Sequence, residues 1–226
     1  DGAPAEFGRS SGGFVNVITK SGTNEIQGSA HLFYKDDSLA ADGERSNGDK
    51  VRKFDQQQYQ TGFTFGGPLR NDKLFYFIAA DIQRGESTKQ TDPSRIEPRV
   101  VAFFDSIGVT GENGPIARTN DAEVALAKLD WQASASNLAT VRFSYTNAEQ
   151  ENGTFDVDSW GRSANAIESD DSYSLTGSLI STLSSSTLNE LRGQYAKENR
   201  PRPYNGPIVR STGRPLPDTA FDFGRG

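Results

Sequence analysis

The segment Gly8-Arg9-Ser10-Ser11-Gly12 spells G-x-S-x-G, the pattern of a nucleophile elbow that raises a serine hydroxyl on a strand-to-helix turn. That chemistry needs a strand before the serine, a helix after it, and a histidine with an acid to activate it. Here a polar stretch precedes the pattern, a β-branched run follows it, and His31 is the sole histidine. No acid between Ser10 and His31 is placed to complete a triad, so a hydrolase is not expected. Lys20-Ser21 lacks the preceding glycine of a phosphate-binding loop, which argues against nucleotide binding. The glycines fit a plainer purpose, letting backbone turn and pack closely ahead of a strand.

His31 falls on the polar side of an alternating segment, where a lone histidine is a hydrogen-bonding side chain rather than a ligand. Asp36-Asp37 and Asp42-Gly43-Glu44 offer the oxygen ligands that hard cations prefer. Their spacing does not fit an EF-hand loop, and they read as solvated loop charge. The expectation is no catalytic residue, no cofactor and no metal centre.

The elements that must position these residues are strands. Hydrophobic residues make up 34% of the 226, aromatics 10%, and the mean hydropathy is -0.65. Such a chain is poor in material for a thick water-soluble core and too aromatic for disorder. Net charge is -6, with basic residues scattered among acids, which excludes a nucleic-acid footprint. Cysteine is absent, so there is neither a disulfide framework nor a thiolate metal site. No apolar run approaches the roughly 20 residues of a spanning helix. Methionine and a signal peptide are both missing, as expected of a piece of a longer precursor.

Phe14-Val15-Asn16-Val17-Ile18-Thr19 reads as part of a short strand over 13–19, and Ser21-Gly22-Thr23-Asn24 as a tight polar break after it. A second strand over 25–34 places Ile26, Gly28, Ala30, Leu32 and Tyr34 on one face and Gln27, Ser29 and His31 on the other. Strands over 56–66, 138–148 and 172–181 repeat this alternation, while 73–84, richer in aromatics (Phe75, Tyr76, Phe77), and the returning 187–198 read as further strands. Residues 122–133 have helix propensity, but as a strand they put Ala125, Ala127, Leu129 and Trp131 opposite Lys128, Asp130 and Gln132. They pair naturally with 138–148, so strand is preferred. A helical turn is expected near 99–107.

The connections alternate strictly: long (35–54), short (67–72), long (85–121), short, long (149–171), short (184–186), long. An up-and-down meander therefore carries every long loop at one end, as outer-membrane barrels do. The expected fold is all-β, an antiparallel meander forming part of a transmembrane β-barrel. A soluble, non-catalytic β-sheet binding or adhesion module is the alternative. Tyr34, Tyr59, Phe77, Trp131 and Tyr145 are candidates for interfacial girdles.

Residues 6–13 (EFGRSSGG) with 15–25 (VNVITKSGTNE) resemble the plug-to-barrel junction of TonB-dependent outer-membrane receptors, closest to the Oar-like branch. Gly28-Ser29-Ala30 with Phe33-Tyr34, Phe65-Gly66-Gly67-Pro68-Leu69 with residues 73–77, and residues 128–132 continue the resemblance in the family's order. It implies that 1–21 end a plug domain, that 22–226 begin a barrel of about 22 strands, and that Ser21, Gly22, Thr23 and Asn24 form the structural junction. It further implies an outer-membrane location, contact with outer-membrane lipid, gated passage of an extracellular substrate whose identity is unknown, and coupling to a TonB-type protein through an upstream segment. A bacterial envelope also makes the glycosylation pattern Asn152-Gly153-Thr154 a coincidence.

Overall fold

The computed structural model describes residues 18–204 except 42, 45–46, 49, 52–54, 90–93, 95 and 154–160, together with Ser211. In chain order the elements are β1 (Gln27–Asp36), β2 (Gly43–Glu44), β3 (Lys50–Val51), β4 (Gln56–Arg70), β5 (Leu74–Lys89), α1 (Pro98–Ser106), β6 (Ile116–Thr119), β7 (Asp121–Ser134), β8 (Asn137–Glu151), β9 (Ile167–Ser184) and β10 (Thr187–Asn199). One continuous antiparallel sheet runs β1-β4-β5-β7-β8-β9-β10. The short β6 pairs with the outer end of β5, in the lane that β7 occupies below it. β2 and β3 form a separate two-stranded hairpin.

The meander is as expected, and residues 121–134 are strand. Neighbours on both sides supply a complete ladder to β7, which overrides a helix propensity of a few tenths of a kcal/mol per residue. The strands are longer than the alternation predicts. β4 continues through Pro68 to Arg70, so the turn expected over 67–72 shrinks to 71–73. A register shift between Pro68 and Arg70 accommodates the proline, which has no N–H to give the ladder. Asp72 takes a left-handed φ of 61°, tolerated by Asp, to close that turn. The helix near 99–107 is present as α1. The strand expected over 13–19 lies outside the described residues up to 17, and 18–20 have no regular structure.

Cross-strand register aligns one face from end to end: Gly28, Phe65, Ile78, Ala127, Phe143, Leu175 and Tyr195 share a row. This apolar face is the exposed one. Leu32 is 71% exposed, Phe63 46%, Trp131 53% and Val141 48%. The polar face is the enclosed one, with the Lys128 and Asp130 side chains only 13% and 12% exposed. A water-soluble sheet does the reverse. An apolar convex side around a crowded polar concave side is the arrangement of a lipid-facing barrel wall.

Tyrosines mark one edge of the apolar band. Tyr34 faces Tyr59, Tyr145 faces Tyr173, and the Tyr173 and Tyr195 rings lie 6.2 Å apart. Tyr195 shares its row with Gly28, six residues before Tyr34, so the belt descends six residues over six strand-to-strand steps. One residue per strand, with roughly 3.3 Å rise and 4.8 Å spacing, corresponds to a strand tilt of about 35° if the belt is level. Leu74 to Ile82 on β5 is then about nine residues of outward span, the length of a tilted transmembrane strand. Arg84, ion-paired with Asp121 and Glu123, lies just beyond.

Phe77 is not a girdle residue. It lies on the concave side, 9% exposed, because its odd position on β5 faces inward with Ala79 and Asp81. The other buried apolar side chains among the described residues are Val109, Ile116 and Ala166, all at the long-loop end. Replacing outward Val141 by Lys is expected to cost about 2–4 kcal/mol, and inward Ser144 by Lys less than about 1 kcal/mol. Urea-dependent folding into lipid vesicles measures both. Equal costs would show that the two faces meet the same solvent.

Candidate functional site

The short polar segment before β1 is fastened to the wall residue by residue. Ser21 Oγ accepts a hydrogen bond from Lys128 Nζ at 2.7 Å. Gly22 lies against the backbone of β4 and β5, where a Cβ would collide with the carbonyls of Tyr76 and Gly67. Gly66 keeps the other side of this slot open, its would-be Cβ lying 3.5 Å from Gly22 Cα. Thr23 Oγ1 donates to the Glu25 carbonyl at 3.0 Å and accepts from Glu25 N at 3.3 Å, a local turn that redirects the chain. Asn24 clamps the β4–β5 turn: its Nδ2 donates to Asp72 Oδ1 at 2.6 Å, and its Oδ1 accepts from Asp72 N at 2.8 Å. The four residues Ser21, Gly22, Thr23 and Asn24 thus contribute two side-chain tethers, one close backbone passage and one turn.

The wall behind this segment is built for polar contact. Lys128 also pairs with Asp130 Oδ2 at 3.3 Å, and Thr140 Oγ1 donates to Asp130 Oδ1 at 2.7 Å. A second cluster spans three strands. His31 Nε2 meets Asp81 Oδ2 at 2.8 Å, and Gln60 Nε2 donates to Asp81 Oδ1 at 2.9 Å. His31 and Asp81 both lie opposite Gly62 in register, so they touch across β4 only because Gly62 has no side chain. A Cβ there would lie within 2.7 Å of His31, Asp81 and the Ala80 carbonyl. These are structural networks without a nucleophile, and His31 acts as the hydrogen-bonding residue its strand position suggests.

The long connections pack on one another at the opposite end. Glu112, 4% exposed, accepts from Ser163 N at 2.9 Å and from Ser163 Oγ at 2.8 Å. Gly161 adjoins the same carboxylate, and a Cβ there would strike it. Ala166 bridges Tyr204, and Ile167 N donates to the Pro203 carbonyl at 3.0 Å. Burial, and secondarily the charge of Glu112, raise the Tyr204 phenol above its ordinary value. Its neutral form is favoured in the fold, so its contribution holds below about pH 10 and is lost as pH rises through the folded value.

Beneath the β1–β4 connection, a cleft of about 390 Å³ is lined by Asp36, Asp37, Asp55, Glu86, Glu151 and Arg118, among others. Asp36 is occupied internally. Hydrogen bonds from the Ser38 hydroxyl first, then the Ser38 backbone, Tyr34 and Gln57 hold its carboxyl well below the usual range. Their stabilisation is present at neutral pH and fades only as pH falls through that depressed value. The described residues contain no group of three or more acids or histidines able to hold a metal.

Residues 8–12 with Ser10, and Asp42 with the Glu44 side chain, lie outside the described residues. Asn152 donates its amide to the Ala117 carbonyl at 2.8 Å, and Thr154 is outside the described residues. Sequence reasoning singled out Tyr34, Tyr59 and Tyr145 but passed over Tyr173 and Tyr195, which the row-by-row register would have shown. It also passed over Lys128, Asp72 and Glu112, whose partners are 107, 48 and 51 positions away.

Two substitutions probe the fastening. Asn24→Ala is expected to lower stability by about 1–2 kcal/mol. Lys128→Met, which strands Asp130, is expected to lower it by about 3 kcal/mol. Urea unfolding in detergent gives both values. At the loop end, Gly161→Ala is expected to speed amide exchange at Ser163 and Ile167 while leaving mid-β8 unchanged, measured by hydrogen–deuterium exchange.

Residues 18–100 match a family described as an outer membrane beta barrel domain. The chain is also 33% identical over 98 residues to the TonB-dependent transporter Oar of Myxococcus xanthus. That similarity covers 41% of this chain and 9% of the Myxococcus protein. No solved structure matches. The antiparallel meander with its outward apolar band is consistent with an outer-membrane β-barrel domain, and together with these similarities it points to the outer membrane and to a TonB-dependent transporter as a relative.

Proposed function

We propose that residues 1–21 are the end of a plug domain and residues 22–226 the first strands of the barrel of a TonB-dependent receptor. In this reading the whole receptor performs energy-coupled, gated passage of a bulky substrate and is not an enzyme. The observation that carries it is the way the chain enters β1. Residues 21–24 come off the concave side, held by Lys128 and threaded past Gly66 and Gly67, before the wall begins. A polypeptide that arrives from inside a barrel and then becomes its wall makes this crossing.

The fastening suits the role. Hydrogen bonds of this kind contribute about 1 kcal/mol each, enough to fix the exit point of a plug. Bonds of that strength also give way when a TonB-type protein pulls from the periplasmic side. Outer-membrane lipid surrounds the band below the tyrosines. The connections between β1 and β4, β5 and β7, and β8 and β9 face outward and meet the substrate first. Their acidic lining suits a polar or cationic partner more than an anionic one.

The test uses the absence of cysteine from this chain. A receptor carrying Ser21→Cys and Lys128→Cys, bridged by a short thiol cross-linker, is expected to retain surface binding and to lose energised uptake. Cleaving the linker should restore uptake. Unchanged uptake with the bridge in place would overturn the assignment of residues 21–24 as the junction.

A further inference from the structure

Beyond Asn199 the chain stays in the lane of β10 but is attached differently. Asn199 faces Asp171, and the register carries on past it. Ser169 N donates to the Pro201 carbonyl at 3.2 Å, Ile167 N donates to the Pro203 carbonyl at 3.0 Å, and Ala166 bridges Tyr204. An antiparallel ladder exchanges two hydrogen bonds at each such pair. Here each pair makes one, because proline has no N–H to return to Ser169 or Ile167. The residues before each proline supply ion pairs instead. Arg200 Nε lies 3.4 Å from Asp170 Oδ2 and 3.4 Å from Glu198 Oε1, and Arg202 Nη2 lies 3.2 Å from Glu168 Oε1. These arginine side chains are 68% and 61% exposed, so dissolved salt weakens their hold.

Glu168 and Asp170 face Gln150 and Ala148 in register. With Arg200, Arg202 and Asn120 they line a cleft of about 440 Å³ at the long-loop end. Asp170 Oδ1 is enclosed there and makes no hydrogen bond among the described residues. The closed cleft thus withholds water from a carboxylate oxygen, a cost that opening relieves. We propose that residues 200–204 are a releasable strap on the upper end of β9, held by half a ladder and by salt-sensitive ion pairs. Its release opens the cleft and unseats Tyr204 from Ala166 in the loop cap, while β10 up to Asn199 stays paired. Ionic strength sets the balance, with low salt closing the strap and high salt opening it. The strap works in the same way whether or not residues 1–21 end a plug.

Hydrogen–deuterium exchange at single amides, on the receptor folded in bilayers, measures the opening. The N–H groups of Ile167 and Ser169 report the strap. Those of Asp171 and Tyr173, on the same side of β9, report β10 itself. In the parent the first two are expected to exchange about tenfold faster than the second two. Raising sodium chloride from about 50 mM to about 500 mM should speed the first two by about three- to tenfold and leave the others unchanged. Arg200→Gln with Arg202→Gln should be fast already at low salt and lose the salt response. Pro201→Val with Pro203→Val restores two donors and should slow Ile167 and Ser169 by about tenfold or more. The salt series needs no substitution, so it decides the matter even if a double variant does not fold. Equal protection of all four amides in the parent would overturn the strap. So would salt speeding Asp171 and Tyr173 in parallel, which is fraying of the whole hairpin, or a valine pair that slows nothing.

Discussion

An apolar surface that the chain does not bury for itself governs this structure. Leu32, Phe63, Val141, Phe143, Leu175 and their neighbours stand outward in register across seven strands. At about 25 cal/mol per Å², so wide a band in water would cost more than the few kcal/mol of net stability typical of a domain. The band is tolerable only where the surroundings are hydrocarbon. Hydrocarbon in turn requires every backbone N–H and C=O to be paired within the protein, which the ladder does along the interior strands between the irregularities at Pro68/Arg70 and Gln132/Ser134 near the short turns. Continuous pairing, alternation and the limits set by the tyrosines above and the short turns below all follow from this one requirement.

The concave side obeys different chemistry. Polar side chains are enclosed there and must find partners, so they form clusters: Lys128 with Asp130 and Thr140, His31 with Asp81 and Gln60. Glycine shapes both regions by omission. Gly62 lets two side chains meet across a strand that would otherwise separate them, and Gly66 lets the incoming backbone approach the wall. In a sheet whose thickness is fixed, leaving out a side chain is the readiest way to let something else come close.

Much of this was legible in the residue order. Period-two alternation marked most of the strands and assigned many of their residues to a face, and the unequal connections oriented the meander. Residues 21–24 were marked by their turn chemistry. What eluded reading was of two kinds. Strand ends depend on pairing partners rather than on local preference: β9 extends from 167 to 184 because β8 and β10 are there to receive it. Partners distant in sequence leave no local trace, so nothing around Asn24 announces Asp72. Phe77 was misjudged for a simpler reason. Its aromatic type suggested an interface, while its odd position on β5 had already turned it inward.

The Glu112 carboxylate has an implication for how such a protein changes over generations. Two other connections meet its own there, the β8–β9 one through Gly161 and Ser163 and the one after β10 through Tyr204. Surface loops ordinarily diverge one at a time, each drifting as its own contacts allow. Here an insertion or exchange in one loop alters the lodging of the other two, so these segments are expected to be inherited as a set. Change at this end of the sheet would then come by exchanging the whole cap against an unchanged wall, rather than by the piecemeal drift of single loops.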